Sequence, residues 1–162
     1  MKKKLLIAGA VVAILIVGGI AFWLISPFWL STKVEEAFPM VPASEEVGAH
    51  VITTSTVAIL SQGSFVGFDA VHHGKGTASI IDVDGKTYVR FEKDFVVANG
   101  PDLYVGFGKD GRYIKGSEVG RLKGDQGSQN YELPEGFDLE GKNEVWIWCR
   151  AFGVPFAKAK LR

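Results

Sequence analysis

Hydrophobic and polar positions fall into two regimes along this chain. From Leu5 to Leu30 no side chain is ionisable. Beyond that run, apolar residues come in short alternating stretches separated by Gly-, Asn- and Asp-containing turns, and no segment carries a long 3.6-residue period. The first regime predicts a membrane-spanning helix, because at about 1.5 Å per residue even Leu5 to Ile25 crosses roughly 30 Å of hydrocarbon. The second predicts an all-β domain, an antiparallel sandwich or barrel.

The flanks give the helix a direction. Lys2-Lys3-Lys4 precede it, Trp23, Phe28 and Trp29 gather at its far end, and Lys33, Glu35 and Glu36 follow. The positive-inside rule then puts the N-terminus in the cytoplasm and everything after Ser31 outside. A cleaved signal peptide is the competing reading, but its apolar region is normally about 7–15 residues and ends at a small-x-small site. Ser26-Pro27-Phe28-Trp29-Leu30 is a poor cleavage region, so an uncleaved signal anchor over residues 1–30 is expected, with residues 5–30 in the lipid bilayer.

Residues 31–62 read as an extracytoplasmic tether. A short amphipathic piece, Val34 to Ala37, is broken by Pro39 and Pro42, and a β-branched run from Val51 to Leu60 fits either a first strand or an extended linker. Residues 63–162 then form one domain. Thr77 to Val83 and Lys86 to Phe91 flank Asp84-Gly85, a two-residue hairpin signal, because a type I′ turn needs positive φ at both central positions. Further strands are expected at 95–98, 103–107, 120–123, 128–133, 143–150 and 154–161, with at most a single helical turn near Ser117-Glu118-Val119. Pro101 cannot donate to a ladder and belongs in the loop Asn99-Gly100-Pro101-Asp102.

Charge excludes one class of partner. Residues 63–162 carry 14 Lys plus Arg and 14 Asp plus Glu, so no basic stripe draws nucleic acid to the domain. No Gly-x-Ser-x-Gly, phosphate loop or His-Glu-x-x-His occurs, which leaves hydrolase and nucleotide chemistry without a motif.

A series of short words carries a family resemblance. Gly63-Ser64-Phe65, His73-Gly74-Lys75-Gly76-Thr77-Ala78, Asn99-Gly100-Pro101-Asp102-Leu103-Tyr104-Val105, Leu122-Lys123-Gly124-Asp125-Gln126-Gly127, Asn130-Tyr131-Glu132-Leu133-Pro134 and Val145-Trp146-Ile147-Trp148-Cys149-Arg150 stand in that order. In this they resemble DM13 domains, over residues 63–162 and not over the anchor. The resemblance implies a β-sandwich-like module, related in animal and plant proteins to electron-transfer and haem-binding partner domains. It also implies a redox role centred on the cysteine that Cys149 matches.

Cys149 is the one cysteine of the chain, and a thiol outside the cytosol normally pairs. Three readings stay open: a packed core residue, a reactive thiol, or half of an intermolecular bridge. Strand alternation puts Val145, Ile147 and Cys149 on one face and Trp146, Trp148 and Arg150 on the other. Arg150 is therefore a poor activator, whereas Arg90, Arg112 or His73 would reach the thiol only through the fold. Trp146 and Trp148 make a stripe suited to packing, to a ligand platform or to an electron relay. His73 matches a family position and is a candidate for a structural hydrogen bond or a site wall, while Asn99 and Asp102 are candidates for a pocket or simply turn residues. No metal site is expected, because His72-His73 lacks further ligands, and no cofactor, because neither Met1 nor Met40 lies in the domain to serve a haem.

The expected protein is a single-pass, extracytoplasmic redox or electron-transfer accessory that acts through Cys149 on a partner protein. The alternative is a non-enzymatic envelope binding or structural module with Cys149 packed in its core.

Overall fold

The computed structural model describes residues 2–25, 31–39 and 56–162. The predicted interface aromatics Phe28 and Trp29, and the run from Val51 to Ser55, lie outside the described residues. A helix, α1, spans Lys2–Ile25. Among the described residues no helix is long and apolar enough to cross a membrane, so the spanning anchor remains an expectation from the sequence.

The domain is built from eleven strands: β1 Val57–Gly67, β2 Gly74–Lys75, β3 Thr77–Val83, β4 Lys86–Phe91, β5 Val96–Val97, β6 Leu103–Lys109, β7 Arg112–Tyr113, β8 Gly120–Arg121, β9 Gln129–Glu132, β10 Glu144–Cys149 and β11 Val154–Lys160. Nine form one antiparallel sheet in the order β7-β6-β10-β11-β1-β3-β4-β9, with β8 also on β6; β2 and β5 pair separately. One buried cluster takes Val89, Phe91 and Tyr131 from one end of this sheet and Val105, Phe107 and Ile147 from the other. Sharing a core forces the sheet to curl, and the expected sandwich or barrel is a half-barrel closed over a single apolar interior. Phe65, Phe91 and Phe95 fill its middle with ring centroids 4.5 to 5.1 Å apart.

Local chemistry accounts for the strand ends. Asp84 and Gly85 have φ of 51° and 83°, the paired positive values that a type I′ turn requires, so β3 and β4 meet as predicted. Asp110-Gly111 repeats the device, with φ of 50° and 82°, and joins β6 to β7, a hairpin the hydrophobic pattern did not reveal. The one place left open for a helical turn, near Ser117, holds no helix. The Ser117 hydroxyl accepts from the Phe107 amide (2.8 Å) and lies within bonding distance of the Phe107 and Ile114 carbonyls, which ties the turn at Lys115-Gly116 to β6. The β-branched run resolves as a strand over its described part: β1 lies in mid-sheet, between β11 and β3.

Residues 31–37, within the expected tether, are laid along the domain. Amides of Val34 and Glu36 donate to the carbonyls of Gln126 and Ser128, each at 2.9 Å. The Ser31 hydroxyl and the Thr32 amide both donate to Asp125. The Glu36 carboxylate takes Lys123 and the Asn130 amide, each at 2.7 Å. Glycine permits the close approach: a Cβ at Gly127, whose φ is +88°, would stand 2.1 Å from the Val34 carbonyl oxygen. Gly127→Ala is therefore expected to lift this strap, since the left-handed backbone alone costs about 1–2 kcal/mol for a residue with a Cβ. Hydrogen exchange checks it. The Val34 and Glu36 amides, protected in the parent chain, should exchange at unfolded rates in the variant.

Candidate functional site

β10 carries the chemistry-bearing residues of the sequence, and its phase is set by burial on both faces. Val145, Ile147 and Cys149 point inward, each 0% exposed. Cys149 stands opposite Leu103 on β6 and Val154 on β11, in the same buried cluster as Ile147 and Phe156. It is a free thiol with no exposed surface. Attack on a disulfide or by an alkylating reagent needs an exposed sulfur, so thiol exchange is closed to this folded state.

Of the cations weighed as activators, Arg150 and Arg90 are paired with other groups. Arg150 bonds the Asp102 carboxylate at 3.1 Å and lies 4.2 Å over the Tyr104 ring. Arg90, 5% exposed, binds Glu92, Asn130 and the Ala37 carbonyl, with its guanidinium 4.8 Å over Phe38. Arg112 is exposed on β7.

The other sequence candidates separate into three places. His73 and Asn99 come together in an open groove also lined by Ser31, Val71, Asp125 and Gln126. Asp102 is outside it, paired with Arg150. Trp146 and Trp148 are on the outer face of β10. Next to the groove, His72 bonds Asp69 at 2.8 Å and sets its ring edge-on to Phe156, 4.7 Å between centroids. The His72 ring and amide, with the Val71 amide, hold the exposed Asp69 carboxyl down to about 2. Among the described residues no three His, Cys, Asp or Glu side chains converge as metal ligands.

The outer face holds the most organised arrangement. Tyr113 stacks on Trp148 with centroids 4.4 Å apart and planes 3° from parallel, and its centroid lies 5.9 Å from that of Trp146. Phe68 adds a further ring 5.2 Å from Trp146. Two glycines of β6 make room for this row. A Cβ at Gly106 would come within 2.8 Å of the Tyr113 hydroxyl, and one at Gly108 within 2.1 Å of the Trp146 indole nitrogen. Both side chains thus occupy space that a Cβ on β6 would fill.

Buried polar contacts fix the row. The Glu144 carboxylate, in a residue 2% exposed, accepts from the Trp146 indole (3.1 Å), the Gly111 amide (2.9 Å) and Lys158 (2.9 Å). Burial pushes its pKa up, but these donors outweigh that and hold it below the ordinary 4.5. The Tyr113 hydroxyl donates to Glu118 at 2.7 Å. Burial first, then this carboxylate, pushes the phenol well above its usual range. Sequence reasoning named both tryptophans but missed Tyr113, Glu118 and Glu144. The available signal was Gly106-Phe107-Gly108: two glycines at period 2 in a strand mark one face where something else lies on the backbone.

No curated protein and no solved structure matches the chain. A family model described as electron transfer DM13 matches residues 65–161, well over half the sequence. This interval includes β10 and all four rings of the outer row, and the chain belongs to the DM13 electron-transfer family.

Proposed function

We propose that this chain is a membrane-tethered, extracytoplasmic electron-transfer accessory that passes single electrons to or from a partner redox protein through its outer aromatic row. Family membership supports the redox class. The observation that carries the route is the contrast on one strand: Cys149 is fully buried while Trp148, its neighbour, is only partly buried and is stacked on Tyr113. After cysteine, tryptophan and tyrosine are the side chains most readily oxidised by one electron, and stacked rings shorten the step between them. Cys149, on this reading, is a core residue of the relay strand and not the exchanging thiol.

The burial of Cys149 favours a second reading, a non-enzymatic envelope binding or structural module whose outer rings are packing. Photo-oxidation separates the two. With a surface ruthenium(III) oxidant, the full-length chain in lipid nanodiscs should give an aromatic radical whose yield falls in Trp148→Leu. An unchanged yield in that variant would remove the relay and leave the structural reading.

Membrane attachment is supported by the uncharged run from Leu5 to Leu30 and by the exposure of Ile7, Val11, Ile14, Leu15 and Val17 within it. The expected outcome is that the full chain stays with membranes through alkaline carbonate extraction, and that a protease added outside reaches residues 56–162. Release into the carbonate supernatant would contradict the tether.

A further inference from the structure

We propose that Tyr113 and Glu118 form a proton-coupled one-electron oxidation site, with Glu118 as the resident base for the Tyr113 phenol proton. This rests on the electron-transfer reading of the outer face and assigns its redox-active group. The geometry has three parts. The Tyr113 hydroxyl donates to the Glu118 carboxylate at 2.7 Å, so the proton has a defined acceptor before any electron moves. The ring is stacked on partly buried Trp148, which gives the electron a π-contact toward the surface. The hydroxyl is seated over the Gly106 backbone beside the Ser117 hydroxyl, which confines the phenol to one orientation.

The chemistry follows from the acidity of an oxidised phenol. A neutral tyrosine losing one electron becomes a strongly acidic radical cation, so its oxidation is far easier when a base accepts the proton in the same step. Loss of the proton beforehand is disfavoured here, because burial and the neighbouring carboxylate keep the phenol protonated. The balanced step is this: one electron passes from Tyr113, through Trp148, to a high-potential, metal-centred one-electron oxidant on the partner. The O–H proton moves to a Glu118 oxygen, leaving a neutral phenoxyl radical hydrogen-bonded to a carboxylic acid. Only the O–H bond breaks, and one O–H bond forms. Return of one electron sends the proton back.

The four tyrosines differ in these respects. Tyr88 reaches Glu132 at 3.2 Å on β4, toward the other end of the sheet and outside the aromatic row. Tyr104 lies under the Arg150 guanidinium, a cation that opposes loss of an electron. Tyr131 is in the core cluster and donates to the Gln129 amide oxygen, which is not a base. Tyr113 alone combines a carboxylate acceptor with a stacked indole.

Flash photolysis of the full-length chain in nanodiscs, with a ruthenium polypyridyl photosensitiser and a cobalt(III) quencher, tests the site by transient absorption and freeze-quench electron paramagnetic resonance. The parent chain should give a tyrosyl radical. Tyr113→Phe should lose it in favour of a tryptophan radical, and Tyr104→Phe should keep it. Glu118→Gln should slow its formation and shift its pH profile, with recovery in Glu118→Asp. A tyrosyl signal that persists in Tyr113→Phe, or formation kinetics unchanged in Glu118→Gln, overturns the proposal. A tryptophan radical alone in the parent overturns the Tyr113–Glu118 site but keeps the electron-transfer reading, whereas no aromatic radical at all overturns both.

Discussion

Glu144→Ala is expected to destabilise the domain by about 2–4 kcal/mol, because it strips a buried network of its acceptor. The carboxylate serves three donors from three elements: the Trp146 indole on its own strand, the Gly111 amide in the β6–β7 turn and Lys158 on β11. Lys158 is partly exposed and can turn to water, so its loss is cheap. The indole N–H is buried with Trp146, 3% exposed, and has nowhere else to donate. Leaving it unpaired accounts for the larger share. Urea denaturation followed by tryptophan fluorescence measures the effect. Glu144→Gln separates charge from hydrogen bonding, since its amide oxygen still accepts while the charge is gone.

The carboxylate also predicts a pH dependence. Its folded pKa lies below the ordinary 4.5, so its charged form is favoured by folding. That stability is complete above about 4.5 and is lost as pH falls through the lower folded value. The gap in stability between parent and Glu144→Gln should therefore close on acidification and stay constant from neutral pH down to about 4.5.

Gly108→Ala is the second large effect, about 1–3 kcal/mol from overpacking. The new Cβ would sit 2.1 Å from the Trp146 indole nitrogen, and Trp146 cannot yield easily between Phe68 and Tyr113. A displaced indole also drops its bond to Glu144. The two substitutions strike one unit, so the double variant should cost less than the sum of the singles. Additive costs in a double-mutant cycle would show that Trp146 and Glu144 are independent. Near-ultraviolet circular dichroism of Gly108→Ala should report the disturbed tryptophan environment directly.

How much of this was visible in the sequence depended on how local the cause was. The β3–β4 hairpin was legible because Asp84 and Gly85 carry their own conformational preference. Asp110-Gly111 carries the same one, but the two-residue strand beyond it offers too short a pattern to mark. The phase of β10 was legible too, and it correctly put Cys149 with Val145 and Ile147. Its depth was not, because burial comes from Leu103 and Val154, 46 residues before it and 5 after it, on strands whose register no local signal fixes. Asn99 and Asp102 looked like partners by proximity in sequence, yet the turn between them sends one to the groove and the other to Arg150. Tyr113 and Glu118 were invisible for the complementary reason: they matter only through Trp148 and Gly106, which the fold brings beside them.

Cys149 is sealed in the core, and the proposed electron route is the aromatic row outside it. Thiol labelling of the full-length native chain tests that burial most directly, because there is a single cysteine to count. A small aromatic disulfide reagent should label Cys149 only at the rate of global unfolding, with full reaction in denaturant. Rapid, stoichiometric labelling under native conditions would contradict it and return the thiol to the centre of the chemistry.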